Sequence, residues 1–189
     1  SAMPDAVADT GKSEPVMTSD PSGIIRTRRL LLRRARWGDL DDIHAVMSSP
    51  AAMRYWSRLP HENLDVTRAW FPGALLSADD PNMDERVIEL KGRVIGYMGI
   101  WKMPEFGFIF HPNAWGAGYA TEAAQAIIPE LFRVHAVERI TADVDPRNAA
   151  SLRLLYKLGF IETGKAKRTF LLGDEWCDSI YLGLERRPK

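Results

Sequence analysis

Glu105-Phe106-Gly107-Phe108-Ile109-Phe110-His111-Pro112-Asn113-Ala114-Trp115-Gly116-Ala117-Gly118-Tyr119-Ala120-Thr121-Glu122-Ala123 is the stretch on which the reading of this chain turns. Its aromatic and β-branched opening has the composition of a strand. Its end begins an apolar stripe at three-four spacing, Ala120, Ala123, Ala124, Ile127, Ile128, Leu131 and Phe132, as expected of a helix packed on a sheet. Gly116 and Gly118 lie between the two. A strand that empties into a glycine turn and then a helix N-terminus is an anion cradle. Glycine lets the backbone approach a phosphate, and the unpaired amides and helix dipole favour its charge. The stretch therefore points to a phosphorylated cofactor without choosing one.

Other tenants and chemistries fit less well. Gly116 and Gly118 match the first two glycines of a dinucleotide-binding GxGxxG, and Glu138 lies far enough downstream to hold a ribose. However, Thr121 replaces the third glycine, His111 to Trp115 separate strand from turn, and the turn follows a meander rather than an opening βαβ unit. A Walker loop is excluded because no Gly-Lys-Ser/Thr follows. His44, His61, His111 and His135 show no metal-ligand spacing, so no metal is expected. Cys177 reads as a small buried side chain in a late strand, and no serine sits in a nucleophile elbow. An enzyme built this way would use a cofactor that arrives already activated.

The rest of the chain is consistent with one folded unit. Residues 1–23 are rich in Ser, Pro, Asp, Gly and Ala without apolar periodicity, which predicts a disordered tail, with Ser1-Ala2-Met3 reading as the remnant of a tag. A single domain is expected over residues 24–189, enough for one substantial core and short for two. Ile24 to Arg36 reads as one strand, with Arg26, Arg28, Arg29, Arg33, Arg34 and Arg36 interleaved with Leu30, Leu31 and Leu32. Asp39 is the expected N-cap of a helix carrying Leu40, Ile43 and Met47 on one face, stopped by Ser48-Ser49-Pro50. Tyr55, Trp56, Trp70 and Phe71 surround a short helix, Asp65 to Phe71, that Pro72-Gly73 should end; they read as core packing or as a pocket wall.

Arg86 to Leu90 and Arg93 to Trp101, joined by Lys91-Gly92, predict a tight hairpin. Pro129 predicts a kink or early end in the long helix. Arg139 to Val144 reads as a strand, Ala149 to Leu158 as a helix capped by Asn148 and stopped by Gly159, and Phe160 to Lys167 and Trp176 to Leu184 as strands flanking Leu172-Gly173-Asp174. The 25 basic and 25 acidic side chains cancel, so no long-range field draws the chain to nucleic acid or an anionic membrane. The absence of a long apolar run, the lack of a signal-peptide pattern and the single cysteine lead to the expectation of a cytoplasmic protein.

In four segments the residues resemble the GNAT superfamily of acyl-CoA-dependent N-acyltransferases, and more narrowly its RimJ/RimL-like branch. Thr27-Arg28-Arg29-Leu30-Leu31-Leu32-Arg33 is similar to the family's opening signature, and Glu105 to Phe108, His111-Pro112 and the Trp115–Ala123 run to its central strand and pyrophosphate loop. Asn148-Ala149-Ala150-Ser151, running on to Lys157-Leu158-Gly159-Phe160, resembles the second cofactor helix, and Trp176 to Tyr181 with Asp178 the final strand.

The resemblance implies an α/β (α+β) GNAT fold: a mixed, mostly antiparallel sheet of roughly six to seven strands, splayed at its central strands and flanked by about four helices. It implies acetyl-CoA as co-substrate. The pantetheine arm would pair with Phe108, Ile109 and Phe110, the pyrophosphate would sit on the backbone of Trp115, Gly116, Ala117, Gly118, Tyr119 and Ala120, and Asn148 would bind the pantetheine arm. Asn113 stands where the family has Gln or Arg, which leaves the amide cradle intact. The implied acceptor is a small-molecule amine or a protein N-terminus, and a homodimer is the assembly to test.

The implied chemistry is direct attack of a neutral amine on the thioester. It needs a proton acceptor for the ammonium, a backbone N–H for the oxyanion and a proton source for sulfur. Ser151, one helical turn from Asn148, either donates to sulfur or only packs in the first turn of its helix. Leu155 occupies the place where many members have a thiol-protonating tyrosine; Tyr156, about 100° further round the helix, points elsewhere. Glu105 is the candidate on the amine side, with Asp178 as a weaker alternative. A non-catalytic CoA-binding or interaction module of the same fold is the alternative function, consistent with Asn113 and Leu155.

Overall fold

The computed structural model describes residues 23–189, so the expected tail lies, apart from Gly23, outside the described residues. Among the described residues, eight strands form one sheet in the order β1-β2-β3-β4-β5-β6-β8-β7. They are β1 (Ile25–Arg26), β2 (Leu31–Arg33), β3 (Asp84–Leu90), β4 (Arg93–Lys102), β5 (Glu105–Phe110), β6 (Arg139–Val144), β7 (Ile161–Leu172) and β8 (Glu175–Glu185). All neighbours pair antiparallel except β5 and β6, which are parallel. The sheet exceeds the expected six to seven strands because Ile24 to Arg36 is not one strand. The Thr27 N–H donates to the Leu30 carbonyl at 2.9 Å, closing a turn that folds β1 back on β2 so that Ile25 faces Leu32.

The β3–β4 hairpin forms at Lys91-Gly92 as expected, with φ of 49° and 83°, the two positive values a primed two-residue turn requires. Helices cover both faces of the sheet. On one face, α3 (Tyr119–Val134) and α4 (Ala149–Lys157) bury Ala123, Ala124, Ile127, Leu131 and Leu155 against Ile88, Met98, Phe106, Phe110, Ala142 and Val144. On the other, α1 (Leu40–Met47) and α2 (Leu64–Leu75) bury Ile43, Met47, Phe71 and Leu75 against Val87, Tyr97 and Ile109. The strands divide their side chains between the two layers with period two, Phe106 and Phe110 to the first and Ile109 to the second.

Both helical prolines are accommodated. Pro72 lies inside α2, which continues to Leu75, and Pro129 lies inside α3, which continues to Val134. Buried Leu75 and Leu131 beyond them offset the lost backbone bond, about 3 kcal/mol in an unsupported helix. Asp39 precedes α1, but its side chain caps nothing there. Its carboxylate instead accepts from the Arg33 guanidinium at 2.8 and 2.9 Å and from the Arg36 N–H at 2.9 Å, tying β2 to the start of α1. Although burial pushes the Asp39 pKa up, these donors hold it below its ordinary value. Arg33, which also binds Glu89 at 2.7 Å, is therefore a buried structural cation. No helix among the described residues is long and apolar enough to cross a membrane.

Candidate active-site cleft

The sheet opens at its centre. β5 and β6 meet at Glu105 and Thr141, where the Thr141 N–H donates to the Pro104 carbonyl at 3.1 Å; β6 then pairs along its length with β8. Beyond that rung the two strands part and leave a cleft of about 910 Å³. Its walls include Phe106 to Phe110, Ala142 to Asp145, the starts of α3 and α4, and the 50–56 segment with Tyr55 and Trp56. The Pro104 carbonyl faces β6, and the Phe110 carbonyl accepts from the Trp115 indole N–H at 2.9 Å. By the two-residue period, the N–H and C=O of Phe108 point the same way, into the cleft.

The glycine turn closes one end. A short 3₁₀ turn, Pro112–Ala114, carries the chain out of β5, and Gly116 and Gly118 then take φ of 77° and 81°. Gly118 is the N-cap of α3, so the first amides of that helix stand free at the cleft, as at any helix start. A Cβ on Gly116 would meet nothing within 4 Å. The Trp115 N–H is already bound to the Pro112 carbonyl at 3.1 Å, so the open amides begin at Gly116.

Of the expected cofactor residues, Phe108, Ile109, Phe110, Trp115, Gly116, Gly118, Tyr119, Ala120 and Asn148 line the cleft. Ala117 does not; its carbonyl turns outward to the Arg29 guanidinium at 2.9 Å. Ser151 also lines the cleft, beside Asn148. The Asn148 Oδ1 accepts from the Ser151 N–H at 3.2 Å, which caps α4 and leaves the Asn148 amide group free to donate. Leu155 lines the cleft with an apolar side chain only 1% exposed, while Tyr156 is 46% exposed and stands outside the cleft, as its helical position predicts.

The two carboxylates expected on the amine side lie outside the cleft walls. Glu105 sits at the closed rung, and its carboxylate accepts from the Trp101 indole. Burial raises the Glu105 pKa, the indole hydrogen bond opposes this, and nearby Asp143 adds to the rise. Asp178 accepts from the Arg168 N–H at 2.9 Å. Sequence reasoning passed over Asp143, which does line the cleft. Its signal was its place in β6 among alternately buried residues, with Ala142 and Val144 inward. Two further features were not visible in sequence: Arg54 and Arg147 both lie over the Tyr55 ring, and His44 and His61 share the Thr67 hydroxyl at 2.6 and 2.7 Å. The aromatic group expected near α2 divides, with Phe71 fully buried and Tyr55 and Trp56 on the cleft.

A split central sheet with an open strand edge and a glycine-capped helix at one end accords with comparisons to known proteins. Residues 29–161 match the model of the acetyltransferase (GNAT) domain. The chain is 28% identical over 165 residues to the uncharacterized N-acetyltransferase YnaD of Bacillus subtilis (strain 168), covering 85% of this chain and 95% of that protein. It is 24% identical over 155 residues to the spermidine N(1)-acetyltransferase of Escherichia coli (strain K12), covering 79% and 82%. Among solved structures, spermidine N-acetyltransferase from Vibrio cholerae in complex with CoA and spermine superposes with a TM-score of 0.73 at 22% identity, covering 84% of this chain and 96% of that one. The chain belongs to the GNAT acetyltransferase family.

Proposed function

We propose that this protein is an acetyl-CoA-dependent N-acetyltransferase of the RimJ/RimL-like branch, moving an acetyl group to a primary amine by direct attack in a ternary complex. The observation that carries this reading is the parting of β5 from β6, with the Phe108 backbone edge on one wall and the glycine-capped start of α3 at the end. The residues present fit the donor. A diphosphate needs closely approachable amides at a helix start, which positive-φ Gly116 and Gly118 offer, and an extended amide arm needs an unpaired strand edge. Bound there, acetyl-CoA supplies an acyl group already activated as a thioester.

In this reading the Phe108–Phe110 edge orients the donor, with the Phe108 N–H positioned to receive the developing oxyanion. Asn148 donates to the pantetheine arm, and Ser151 delivers a proton to the departing sulfur. Glu105, one rung behind the opening, adds negative charge on the amine side. The acceptor is a small-molecule amine or a protein N-terminus, and a cytoplasmic location goes with the reading. Calorimetric titration with acetyl-CoA, followed by thiol release with an amine panel, tests it. Binding with amine-dependent release supports the reading; no binding removes it.

A further inference from the structure

We propose that Asp143 takes the proton from the acceptor's ammonium group, so that the two faces of the split sheet divide the reaction between amine activation and leaving-group protonation. The proposal rests on the acetyl-CoA reading above.

The register supplies the first argument. Glu105 and Thr141 form the last rung between β5 and β6, so two residues on, Gly107 and Asp143 stand across the opened gap on the same face. Gly107 puts no side chain into that gap; a Cβ there would touch only Trp101 Cδ1, at 3.9 Å. Ile109, next on that face, packs with the α1–α2 layer, whereas the neighbours Ala142 and Val144 pack with α3 and α4. Asp143 therefore opens toward the side walled by Tyr55 and Trp56, and the α4 residue Ser151 lies on the other side. A nucleophile and a leaving group on a tetrahedral carbon need proton partners in separate places, and the split sheet provides them.

The second argument is elimination. Asp145, also on the cleft, is held by Arg147 at 2.7 and 3.0 Å. Glu105 and Asp178 lie outside the cleft walls, whereas Asp143 stands on them. Among the described residues, Asp143 has no ion-pair partner and is exposed to the cleft. Although it is exposed, the surrounding walls desolvate it enough to raise its pKa, with the Ser179 hydroxyl working in the opposite direction. A carboxylate of raised pKa is a stronger base than an ordinary aspartate. The titratable groups on its surroundings are Glu105 of β5, Tyr181 opposite it on β8, Arg54 and Tyr55 of the covering segment, and Asp145, neutralised by Arg147, just past the end of its own strand.

The proton account closes. The ammonium gives one proton to the Asp143 carboxylate, which later passes it to water. The freed lone pair forms the C–N bond as the carbonyl π pair moves to oxygen; when that pair returns and the C–S bond breaks, Ser151 or its water gives a proton to sulfur and regains one, by way of water, from the nitrogen's second surplus proton. The products are amide and free thiol, with one proton released to solvent.

The test is kcat/KM against pH for wild type, Asp143→Asn and Asp143→Glu, using spermidine and an alanine-initiated peptide as probe acceptors, with acetyl-CoA affinity measured in parallel. Wild type should rise to a plateau once Asp143 ionises. Asp143→Asn should fall about 100-fold at pH 7 and, because only free amine then reacts, keep climbing about tenfold per pH unit toward the amine's own pKa. Asp143→Glu should retain the plateau, and acetyl-CoA affinity should be unchanged in all three. An Asn variant with the wild-type plateau and rate overturns the proposal while leaving the acetyl-CoA reading intact. A wild type that binds no acetyl-CoA overturns that reading, and the proposal with it.

Discussion

Arg29 and Glu122 clasp the glycine turn from outside the cleft. The Arg29 Nε meets Glu122 Oε2 at 2.6 Å, its backbone N–H donates to Oε1 at 2.8 Å, and the Thr27 hydroxyl donates to the same oxygen at 2.7 Å. The guanidinium then reaches the Ala117 carbonyl at 2.9 Å and lies 4.5 Å over the Tyr119 ring. The turn between β1 and β2 thus fixes the loop that would carry the diphosphate, turning the Ala117 carbonyl away from an anion.

Replacing Arg29 by Gln should loosen that loop without touching the pantetheine groove. We expect KM for acetyl-CoA to rise about tenfold, in keeping with loss of charge-assisted hydrogen bonds. The rate with S-acetylpantetheine, which lacks the diphosphate, should stay the same. Steady-state comparison of the two donors checks this; an equal loss on both would mean that Arg29 only maintains the fold.

Gly118 sits at φ 81° as the cap of α3, and an added Cβ would come 3.4 Å from the Arg29 guanidinium. Gly118→Val should therefore cost about 1–2 kcal/mol of stability through the left-handed backbone alone. It should weaken acetyl-CoA binding further by blocking approach to the amides. Denaturant unfolding and calorimetry separate the two effects, and unchanged affinity would remove the cradle argument.

Ser151 and Asn148 are distinguishable by kinetics. Ser151→Ala keeps the backbone N–H that Asn148 caps, so acetyl-CoA affinity should hold while kcat falls about 10- to 100-fold. Asn148→Ala should cost about 1 kcal/mol of stability through loss of the cap and raise KM for acetyl-CoA. An unchanged kcat in the serine variant would return Ser151 to a packing role.

Glu85 gives a pH test of the scaffold that is independent of the cleft. Its carboxyl is buried on β3, 8% exposed, with Oε2 lacking a hydrogen-bond partner among the described residues. Burial, helped by the Asp84 charge, pushes its pKa up from 4.5 to about 8. The folded state then binds more protons than the unfolded state between these values. Stability from this group is full below pH 4.5, falls by up to about 1.4 kcal/mol per pH unit as pH rises, and is lost once pH passes about 8. Glu85→Gln should flatten the curve and be more stable than wild type at pH 8, as measured by urea midpoints across pH.

How much of this was legible in the sequence depended on how local each signal was. The Lys91-Gly92 hairpin, β6, α4 with its Asn148 cap and the glycine turn were all written in adjacent residues. The break between β1 and β2 was hidden because its arginines and leucines alternate like a strand, while the turn depends on the Thr27 contact with Leu30 and Glu122. The prolines misled because buried contacts beyond them outweigh the local penalty. Asp143 was marked by the alternation of β6, but its place across the gap from Gly107 follows from strand register, and that of Arg29 from a contact between the first hairpin and α3.

The most direct test of the account is free-thiol release from acetyl-CoA, followed with and without spermidine, simple alkylamines and peptides with free N-termini, after acetyl-CoA binding is shown by calorimetry. The account predicts saturable binding and thiol release that rises with at least one amine, matched mole for mole by acetylated product. Saturable binding with no amine-dependent release would contradict it and support a non-catalytic CoA-binding module on the same fold.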